Sequence, residues 1–354
     1  MKILVIKLGA KGDVVRTLPV LLGIKEKYPD VRNVHKTDIS EHPENPINKQ
    51  EDFFDSEIHW LVKKSNIGVI EGSPEVSKIW TLENPPNEKF DILYNFDVEE
   101  EATALAMKIP ADRKYGFYSE NGFASAFNLG AEYYLNTMFD DNTKINNRKT
   151  YQEMMFNAAE LPYKKQHHTI YLSDEDKLYA EEFIKINKIK TEKLIGIHMG
   201  AGPRWPSKAW AEEKVKGFIQ LAKSKGYEIL LFGGPDESEK QGKLTEALKK
   251  QNILIYRNNP LNTDKQFASL VNLCNVIVCS DSFALHVSLA FKKPTIGLFF
   301  CTPYHEIEGY NLFKPIASPM LYEFFPEKMN QFSEQLINSI SAEEVMKEVE
   351  NISF

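Results

Sequence analysis

A carboxylate beside two glycines near the start of the chain is the first group that could do chemistry. Asp13 comes after an apolar run over 3–6 that predicts a buried strand, and it is followed by a helical pattern over 14–28. A glycine turn between a strand and a helix leaves backbone N–H groups free to face a ligand. We therefore expect Asp13 to face a cleft as a general base, although the same side chain could simply cap the helix. The other residues expected at this turn are Lys7, Gly9, Lys11 and Gly12.

A second glycine turn, Gly200-Ala-Gly202, comes after a predicted strand in the second half of the chain. Glycines, a hydroxyl group and two cations beside the start of a helix suit a pyrophosphate group. We expect this turn to bind the diphosphate of a nucleotide; the alternative is an ordinary turn with solvated cations. The side chains that would take part are those of Arg204, Ser207 and Lys208.

The segment Ser280-Asp-Ser-Phe-Ala-Leu-His286 also comes after a predicted strand, and it begins a helix. The backbone N–H groups of 281–284 could therefore contact phosphate or sugar. In that interpretation Asp281 and Ser282 lie at the donor, and His286 donates a hydrogen bond to it. The alternatives are helix caps and a buried, hydrogen-bonded histidine.

Strand and helix patterns alternate through the chain, which is typical of α/β architecture. Gly233 and Gly234 end one predicted strand, where they either form an ordinary turn or, at that end of an open sheet, border a nucleotide. We expect two doubly wound domains whose glycine turns face each other across a cleft. Residues 33–56 are predicted to form a surface loop or an insertion, and 111–150 carry no clear pattern. The predicted strands are 3–6, 58–62, 78–82, 90–96, 194–198, 228–232, 252–256, 276–279 and 294–299, and the predicted helices are 14–28, 67–71, 151–161, 210–225, 264–273, 284–291 and 342–349.

Composition restricts the class of protein. The 354 residues carry a net charge of -7, which excludes a general affinity for nucleic acid. No apolar run approaches the roughly 20 residues of a membrane-spanning helix. Three cysteines, Cys274, Cys279 and Cys301, lack the spacing of metal ligands and predict reduced thiols in a cytoplasmic protein without a bound metal.

Taken together, these segments resemble glycosyltransferase family 9, the ADP-heptose:lipopolysaccharide heptosyltransferases. The motifs occur in the family's order along nearly the whole chain. The segments that carry the resemblance are Lys7-Leu-Gly-Ala-Lys-Gly-Asp13 with Thr17-Leu-Pro19, His59-Trp-Leu-Val62, Glu71-Gly-Ser-Pro74, Gly200-Ala-Gly202 with Trp205-Pro-Ser-Lys208 and Trp210, Gly233-Gly-Pro235, and Ser280-Asp-Ser282 with His286.

The resemblance implies a GT-B fold, in which two Rossmann-like domains surround a central cleft. The acceptor would bind to residues 1–165 and the nucleotide sugar to 166–335, while a C-terminal helix within 336–354 could pack back on the first domain. By match of position, Asp13 would be the general base and Lys208 would contact the donor phosphate. The family also implies that neither a metal nor a cofactor is bound.

The chain departs from the family pattern at two places in the second domain. Phe283 stands where the family usually has glycine, and Phe300-Cys301-Thr302 stands where it often has Gly-Pro-Thr. A phenyl ring where a backbone should approach a phosphate or sugar narrows the pocket. These residues therefore bear on which sugar is bound.

The implied activity is the inverting, metal-independent transfer of a heptose or related sugar from an ADP-sugar to a hydroxyl of a lipopolysaccharide core or another surface glycan. Such an enzyme is expected in the cytoplasm, at the inner face of the inner membrane, with at most peripheral membrane association and no nucleic-acid partner. Three alternatives stay open: a protein O-heptosyltransferase, a GT-B sugar-nucleotide epimerase or hydrolase, and a catalytically silent nucleotide-sugar-binding protein. The sequence does not identify the acceptor, which could be a glycan, a lipid-linked glycan or a protein.

Overall fold

Two mainly parallel sheets of six strands each form the framework of the computed structural model, which describes residues 1–29, 56–200, 202 and 204–352. The two sheets have their own helices packed around them, so the predicted class of two doubly wound α/β domains is confirmed. The loop predicted over 33–56 lies outside the described residues, apart from Ser56.

The first sheet and its helices make up the N-terminal domain. Its elements are β1 (Lys2–Ile6), α1 (Lys11–Thr17), α2 (Pro19–Lys27), β2 (Glu57–Val62), α3 (Ile67–Ile70), β3 (Val76–Thr81), β4 (Phe90–Asn95), α4 (Glu100–Lys108), β5 (Ala111–Glu120), β6 (Phe123–Ala126), α5 (Leu129–Phe139), α6 (Asp141–Asn146) and α7 (Tyr151–Ala158).

The second sheet and its helices make up the C-terminal domain. Its elements are α8 (Asp174–Asn187), β7 (Leu194–His198), α9 (Glu212–Ser224), β8 (Glu228–Phe232), α10 (Ser238–Lys249), β9 (Tyr256–Arg257), α11 (Asp264–Leu273), β10 (Val276–Ser280), α12 (Phe283–Ala290), β11 (Thr295–Phe299), β12 (Phe313–Ala317), α13 (Leu321–Phe324), α14 (Glu334–Ile337) and α15 (Ala342–Glu350).

The two sheets share one strand order. The first runs β3-β2-β1-β4-β5-β6 and the second runs β9-β8-β7-β10-β11-β12, which is the same order when the second domain is numbered from its own start. The pairing of β5 with β6 is antiparallel, and the other strand pairs are parallel. In such sheets the chain turns to opposite sides at the central pair of strands, and the ligand site lies at that point.

The central strands are continuous apolar runs because helices cover both faces of each sheet. Residues 3–6 of β1 are fully buried, and so are 229–232 of β8. None of the described helices is long and apolar enough to span a membrane.

The helix predicted over 14–28 is divided in two and starts earlier than predicted. α1 begins at Lys11, with Ala10 as its N-cap, and α2 begins with Pro19. Proline lacks an N–H group and favours the first turn of a helix, so a new helix starts there. Asp13 is therefore the third residue of α1 and its side chain makes no capping hydrogen bond. The alternative that Asp13 simply caps the helix is wrong.

Other stretches also differ from the sequence prediction, which did not include α4, α8, α10, α13, α14 or β12. The unassigned residues 111–150 contain the hairpin of β5 and β6 followed by α5 and α6, and the hairpin turns at Asn121 and Gly122, both with positive φ. An Asn-Gly pair favours this kind of turn. The strand predicted over 252–256 is wrong in position, because Asn252 lies in a turn with φ of 61° and the short edge strand β9 begins only at Tyr256.

The C-terminal helix packs on its own domain, so the expectation that it returns to the N-terminal domain is wrong. The apolar side chains of α15 share a core with those of α9, including Val215 and Phe218. Lys225 at the end of α9 also pairs with Glu350 at 2.6 Å. The chain returns to the N-terminal domain elsewhere, in the loop after β11, where the Tyr151 N–H group donates to the carbonyl oxygen of Glu306 at 2.9 Å. The domain boundary at 165 stays a prediction.

Candidate active site

Both central strand pairs end at one interdomain cleft. In the first sheet, Ile6 pairs with Asn95 at the carboxyl ends of β1 and β4, and in the second, His198 pairs with Cys279 at the ends of β7 and β10. Helix α1 packs directly on α12, which brings the two ends together. The strand order predicts a ligand site at the carboxyl ends of the central strands, and the cleft lies at that position.

A cavity of about 540 Å³ fills this cleft. Its volume is within the range of small-molecule sites. The predicted site residues that line it are Lys11, Gly12 and Asp13 from the N-terminal domain and Gly200, Gly202, Lys208, Gly233, Gly234, Asp281 and Ser282 from the C-terminal domain.

Buried polar groups stabilise the turn that follows β1. Asp97, which follows β4, accepts hydrogen bonds from the N–H groups of Leu8 and Gly9 at 3.0 and 2.7 Å. The ammonium group of Lys7 lies 3.5 Å from the same carboxylate. Lys7 and Gly9 were expected in the cleft, but the described lining of the cavity does not include them. They support the turn that carries Asp13.

Asp13 lies at the cavity wall and forms an ion pair with Arg16, at 2.9 Å between Oδ1 and NH2. Burial raises the pKa of the Asp13 carboxyl, but the charges of Arg16 and Lys7 outweigh it, so this pKa lies below its ordinary value. The carboxylate is therefore ionised near neutral pH and has the charge state that a proton acceptor needs.

His286 packs behind the glycine turn. A Cβ atom on Gly12 would lie 2.6 Å from Cδ2 of His286, so the two domains approach this closely only because residue 12 is glycine. Burial and the charge of Arg16 lower the pKa of His286 to about 4, which leaves the ring neutral at pH 7. Its Nε2 atom lies 3.9 Å from Oδ1 of Asp281. The described residues that line the main cavity do not include His286, which was expected to contact the donor.

Lys208 and Asp281 form an ion pair on the C-terminal side of the cavity, with 2.8 Å between Nζ and Oδ2. Burial raises the pKa of Asp281, while Lys208 and His286 lower it more strongly, so the carboxyl is ionised. Ser282 is the N-cap of α12, and the first N–H groups of that helix start beside the pair. A cation and free backbone N–H groups can bind a diphosphate.

Two predicted donor contacts lie elsewhere. Ser207 is fully buried; its hydroxyl donates to the carbonyl oxygen of Gln331 at 3.0 Å and accepts from the N–H group of Ser333 at 2.8 Å. It anchors the C-terminal segment, and its predicted place at the donor is wrong because no surface of it is exposed. The guanidinium of Arg204 lies over the Trp205 ring, 4.7 Å from the centroid, and is not part of the described cavity lining.

A comparison with known protein families identifies the family of this chain. Residues 86–323 match the family model described as glycosyltransferase family 9 (heptosyltransferase). The chain belongs to glycosyltransferase family 9. It is an enzyme, a glycosyltransferase, as the resemblance of its motifs predicted.

Relatives and solved structures agree with this assignment over nearly the full length of the glycosyltransferase. It is 23% identical to a lipopolysaccharide heptosyltransferase 1 of Campylobacter coli, with 99% of both chains covered. A glycosyl transferase family 9 structure from Veillonella parvula has a TM-score of 0.70 at 19% identity, covering 99% of this chain and 96% of that one. The structure of an E. coli ADP-heptose lipopolysaccharide heptosyltransferase II has a TM-score of 0.67 at 17% identity, covering 99% and 98%. The two structures share the GT-B fold of the enzyme.

Sequence reasoning missed several polar groups of the glycosyltransferase that line the cavity. Glu237 accepts from the N–H group of Gly234 at 2.9 Å, and Asn258 accepts from that of Gly233 at 3.0 Å. Asp264 reaches across the mouth of the cleft to Lys11, with 2.6 Å between Oδ1 and Nζ. A usable signal existed, because Glu237 and Asn258 follow the ends of neighbouring parallel strands.

The two departures from the family pattern lie in different surroundings. The Phe283 ring stacks on Phe267, with 5.4 Å between the centroids, and both rings line the cavity. Phe267 in turn packs edge-on against His198 and Phe232. Residues 300–302 are buried and do not belong to the described cavity lining. Of the two departures, Phe283 is therefore the one that shapes the C-terminal side of the cleft.

The described part of the enzyme contains no group of three or more histidine, cysteine, aspartate or glutamate side chains that could hold a metal ion. Cys274, Cys279 and Cys301 are free and buried.

Proposed function

We propose that this glycosyltransferase moves a heptose or related sugar from an ADP-sugar to a hydroxyl of a lipopolysaccharide core or another surface glycan, with inversion at the anomeric carbon. The observation that carries the proposal is the division of the cavity lining between the two domains. Asp13 lies on one side, and Lys208, Asp281 and the start of α12 lie on the other. The proposed general base and the proposed diphosphate site therefore line the same cavity.

In the proposed reaction, the acceptor oxygen bonds to the anomeric carbon as the bond to the nucleotide diphosphate breaks. Asp13 takes the hydroxyl proton, and the electron pair of the broken bond leaves with the diphosphate. Positive charge develops on the sugar in the transition state, as it does in glycoside hydrolysis. Lys208 and the N–H groups of α12 stabilise the charge that grows on the leaving group.

The names of similar proteins support the donor and acceptor classes. The E. coli structure is named as an ADP-heptose enzyme, and the Campylobacter coli relative is named for lipopolysaccharide. We propose the same classes here, with action in the cytoplasm at the inner face of the inner membrane and no cofactor. The Phe283 ring lies on the proposed donor side of the cavity, where it narrows the space for the sugar. Experiment must therefore identify the sugar that is transferred.

The direct test of the activity is turnover of ADP-heptose with a truncated lipopolysaccharide acceptor. We expect release of ADP to require the acceptor, and NMR of the product to give the anomeric configuration opposite to that of the donor. Equal release of ADP without any acceptor would instead identify a hydrolase, and a new sugar nucleotide would identify an epimerase.

Nucleotide preference is expected to favour ADP. Because a ligand that binds only the folded state stabilises it by mass action, about 2.7 kcal/mol at a concentration of 100 times Kd, ADP should raise Tm more than UDP, GDP or CMP at equal concentration. A thermal-shift screen with adenosine as the control without phosphate measures this. Equal shifts from the four nucleotides, or a larger shift from UDP, would remove the ADP assignment.

Activity is expected to survive EDTA, since the positive charge at the proposed diphosphate site comes from Lys208. Initial rates with and without the chelator, followed by addition of Mg²⁺, Mn²⁺ or Ca²⁺, test this. A modest gain from Mg²⁺ through charge screening would agree with the proposal. Complete loss of activity that one divalent ion restores would contradict it.

A further inference from the structure

Arg16 occupies an unusual position one turn after the proposed base. Its guanidinium is largely buried, with 16% of the side chain exposed, and it pairs with Asp13 at 2.9 Å. The same group lies over the ring of Tyr151 from α7, with Cζ 3.7 Å from the ring centroid. Neither contact was indicated by the sequence motifs, in which Arg16 appeared only as part of a helical pattern.

The opposite end of the Arg16 guanidinium faces the donor domain. Its NH1 atom lies 4.0 Å from Oε2 of Glu306, in the loop after β11. The backbone of Glu306 is tied to the acceptor domain, because its carbonyl oxygen accepts from the Tyr151 N–H group at 2.9 Å. Arg16 therefore stands between a carboxylate of each domain.

A small cavity completes the surroundings of Arg16. Its volume is about 20 Å³, which suits a single water molecule. Arg16 Nε and Gln152 Oε1 are buried beside it and have no hydrogen-bond partner within the described ranges. A water molecule in this cavity would accept from Arg16 Nε and donate to Gln152 Oε1.

We infer that Arg16 is a positioning residue for the proposed base: it orients the Asp13 carboxylate towards the cleft and ties that orientation to the donor domain through Glu306. The inference rests on the proposed role of Asp13 in proton transfer. Arg16 engages Oδ1 of Asp13, and Oδ2 accepts no hydrogen bond from the described residues, so it is the oxygen available to an acceptor hydroxyl.

Other charges around Asp13 cannot replace this contact. Lys7, directly after β1, is the other cation that lowers the pKa of the carboxylate, but its own ion pair is with Asp97. His286 of α12 is neutral at pH 7, and Asp281 opposes ionisation of Asp13. The remaining titratable groups that face this cluster are Tyr134 of α5, Tyr151 of α7 and Glu306.

The test compares two substitutions that separate charge from shape. Arg16→Gln removes the charge, so the pKa of Asp13 should rise and the acid limb of kcat/KM should move to higher pH by about 1–3 units. Arg16→Lys keeps the charge but loses the planar contact, so its acid limb should stay near wild type. For both variants we expect kcat to fall on the order of 10- to 100-fold with little change in the KM for donor, because the base is misplaced.

Lys265→Gln is the matched control. Lys265 forms another ion pair between the domains, with 3.9 Å to Glu71, and it does not belong to the described cavity lining. Its loss should lower Tm slightly without moving the acid limb. The pH profiles are measured over the range in which circular dichroism shows the variants folded.

Three results would overturn the inference. One is an Arg16→Gln acid limb at the wild-type position, another is an Arg16→Lys variant with wild-type kcat, and the third is an equal shift of the limb in Lys265→Gln. If Arg16→Gln does not fold, the kcat of Arg16→Lys decides. Failure of the proposed function is recognised separately, since an active Asp13→Asn variant would remove the base itself whatever Arg16 does.

Discussion

Replacing Asp13 by asparagine is expected to lower kcat by about 10²- to 10⁴-fold, the usual contribution of general base catalysis. The amide has nearly the shape of the carboxylate and can keep its contact with Arg16, but it cannot act as a base at neutral pH. The affinity for the ADP-sugar should stay close to wild type, because the donor is assigned to the opposite side of the cavity. Steady-state rates with the true acceptor and calorimetric titration of the donor measure the two quantities.

The control for Asp13→Asn is Asp112→Asn. Asp112 is an exposed carboxylate at the amino end of β5, and it pairs with Lys89 on the surface. It should change neither kcat nor donor affinity. If Asp13→Asn retained most of its turnover, Asp13 would serve only the structure of the turn, and the proton acceptor would have to be sought elsewhere in the cleft.

Replacing Lys208 by alanine is expected to weaken ADP binding by roughly 10- to 150-fold, which corresponds to about 1.5–3 kcal/mol for a hydrogen bond to a charged group. The structure adds a second reason in the same direction. Lys208 lies 2.8 Å from Asp281, so its removal leaves an unpaired carboxylate next to the proposed diphosphate. Adenosine has no phosphate group, so neither the lost lysine contact nor the unpaired carboxylate should change its affinity much. Calorimetric titrations with ADP and adenosine separate the two.

Two further variants complete the Lys208 experiment. Lys208→Arg should restore only part of the affinity, because the guanidinium is larger and planar. Lys243→Ala removes an exposed lysine on α10 and should leave ADP binding unchanged. Equal ADP affinities for wild type and Lys208→Ala would show that the diphosphate is bound elsewhere, with Arg204 as the first candidate to examine.

Some of the elements that short-range patterns encode were predicted, although α8, which also begins with a capping box, was not. The helix predicted over 264–273 is α11 (Asp264–Leu273) itself, since Thr263 and Gln266 form a capping box at its start and its apolar residues recur on one face. The apolar run of β1 marks a strand buried on both faces. The family motifs also brought Asp13, Lys208 and Asp281 to one cleft, because glycine turns after parallel strands have a defined place in a doubly wound sheet.

Local sequence patterns were less informative where one pattern is compatible with two different structural roles. A serine next to a lysine in a glycine-rich turn suits a phosphate site, yet Ser207 is buried against the C-terminal segment. Its type and spacing are the same in either role, and the difference depends on residues more than 120 positions later. In the same way, α15 has an apolar stripe that predicts packing but does not name the helix it packs against.

The alternation of strands and helices, the family and the glycine turns that line the cleft were predictable from the amino-acid sequence, although several helices and strands were not. The charge environment of Asp13 depends on the folded structure, because Arg16 comes from its own helix while Tyr151, His286 and Glu306 come from distant parts of the chain. The physical reason is one of range. Helix and strand preferences act over a few neighbouring residues, whereas burial and Coulomb interactions depend on which groups meet in space.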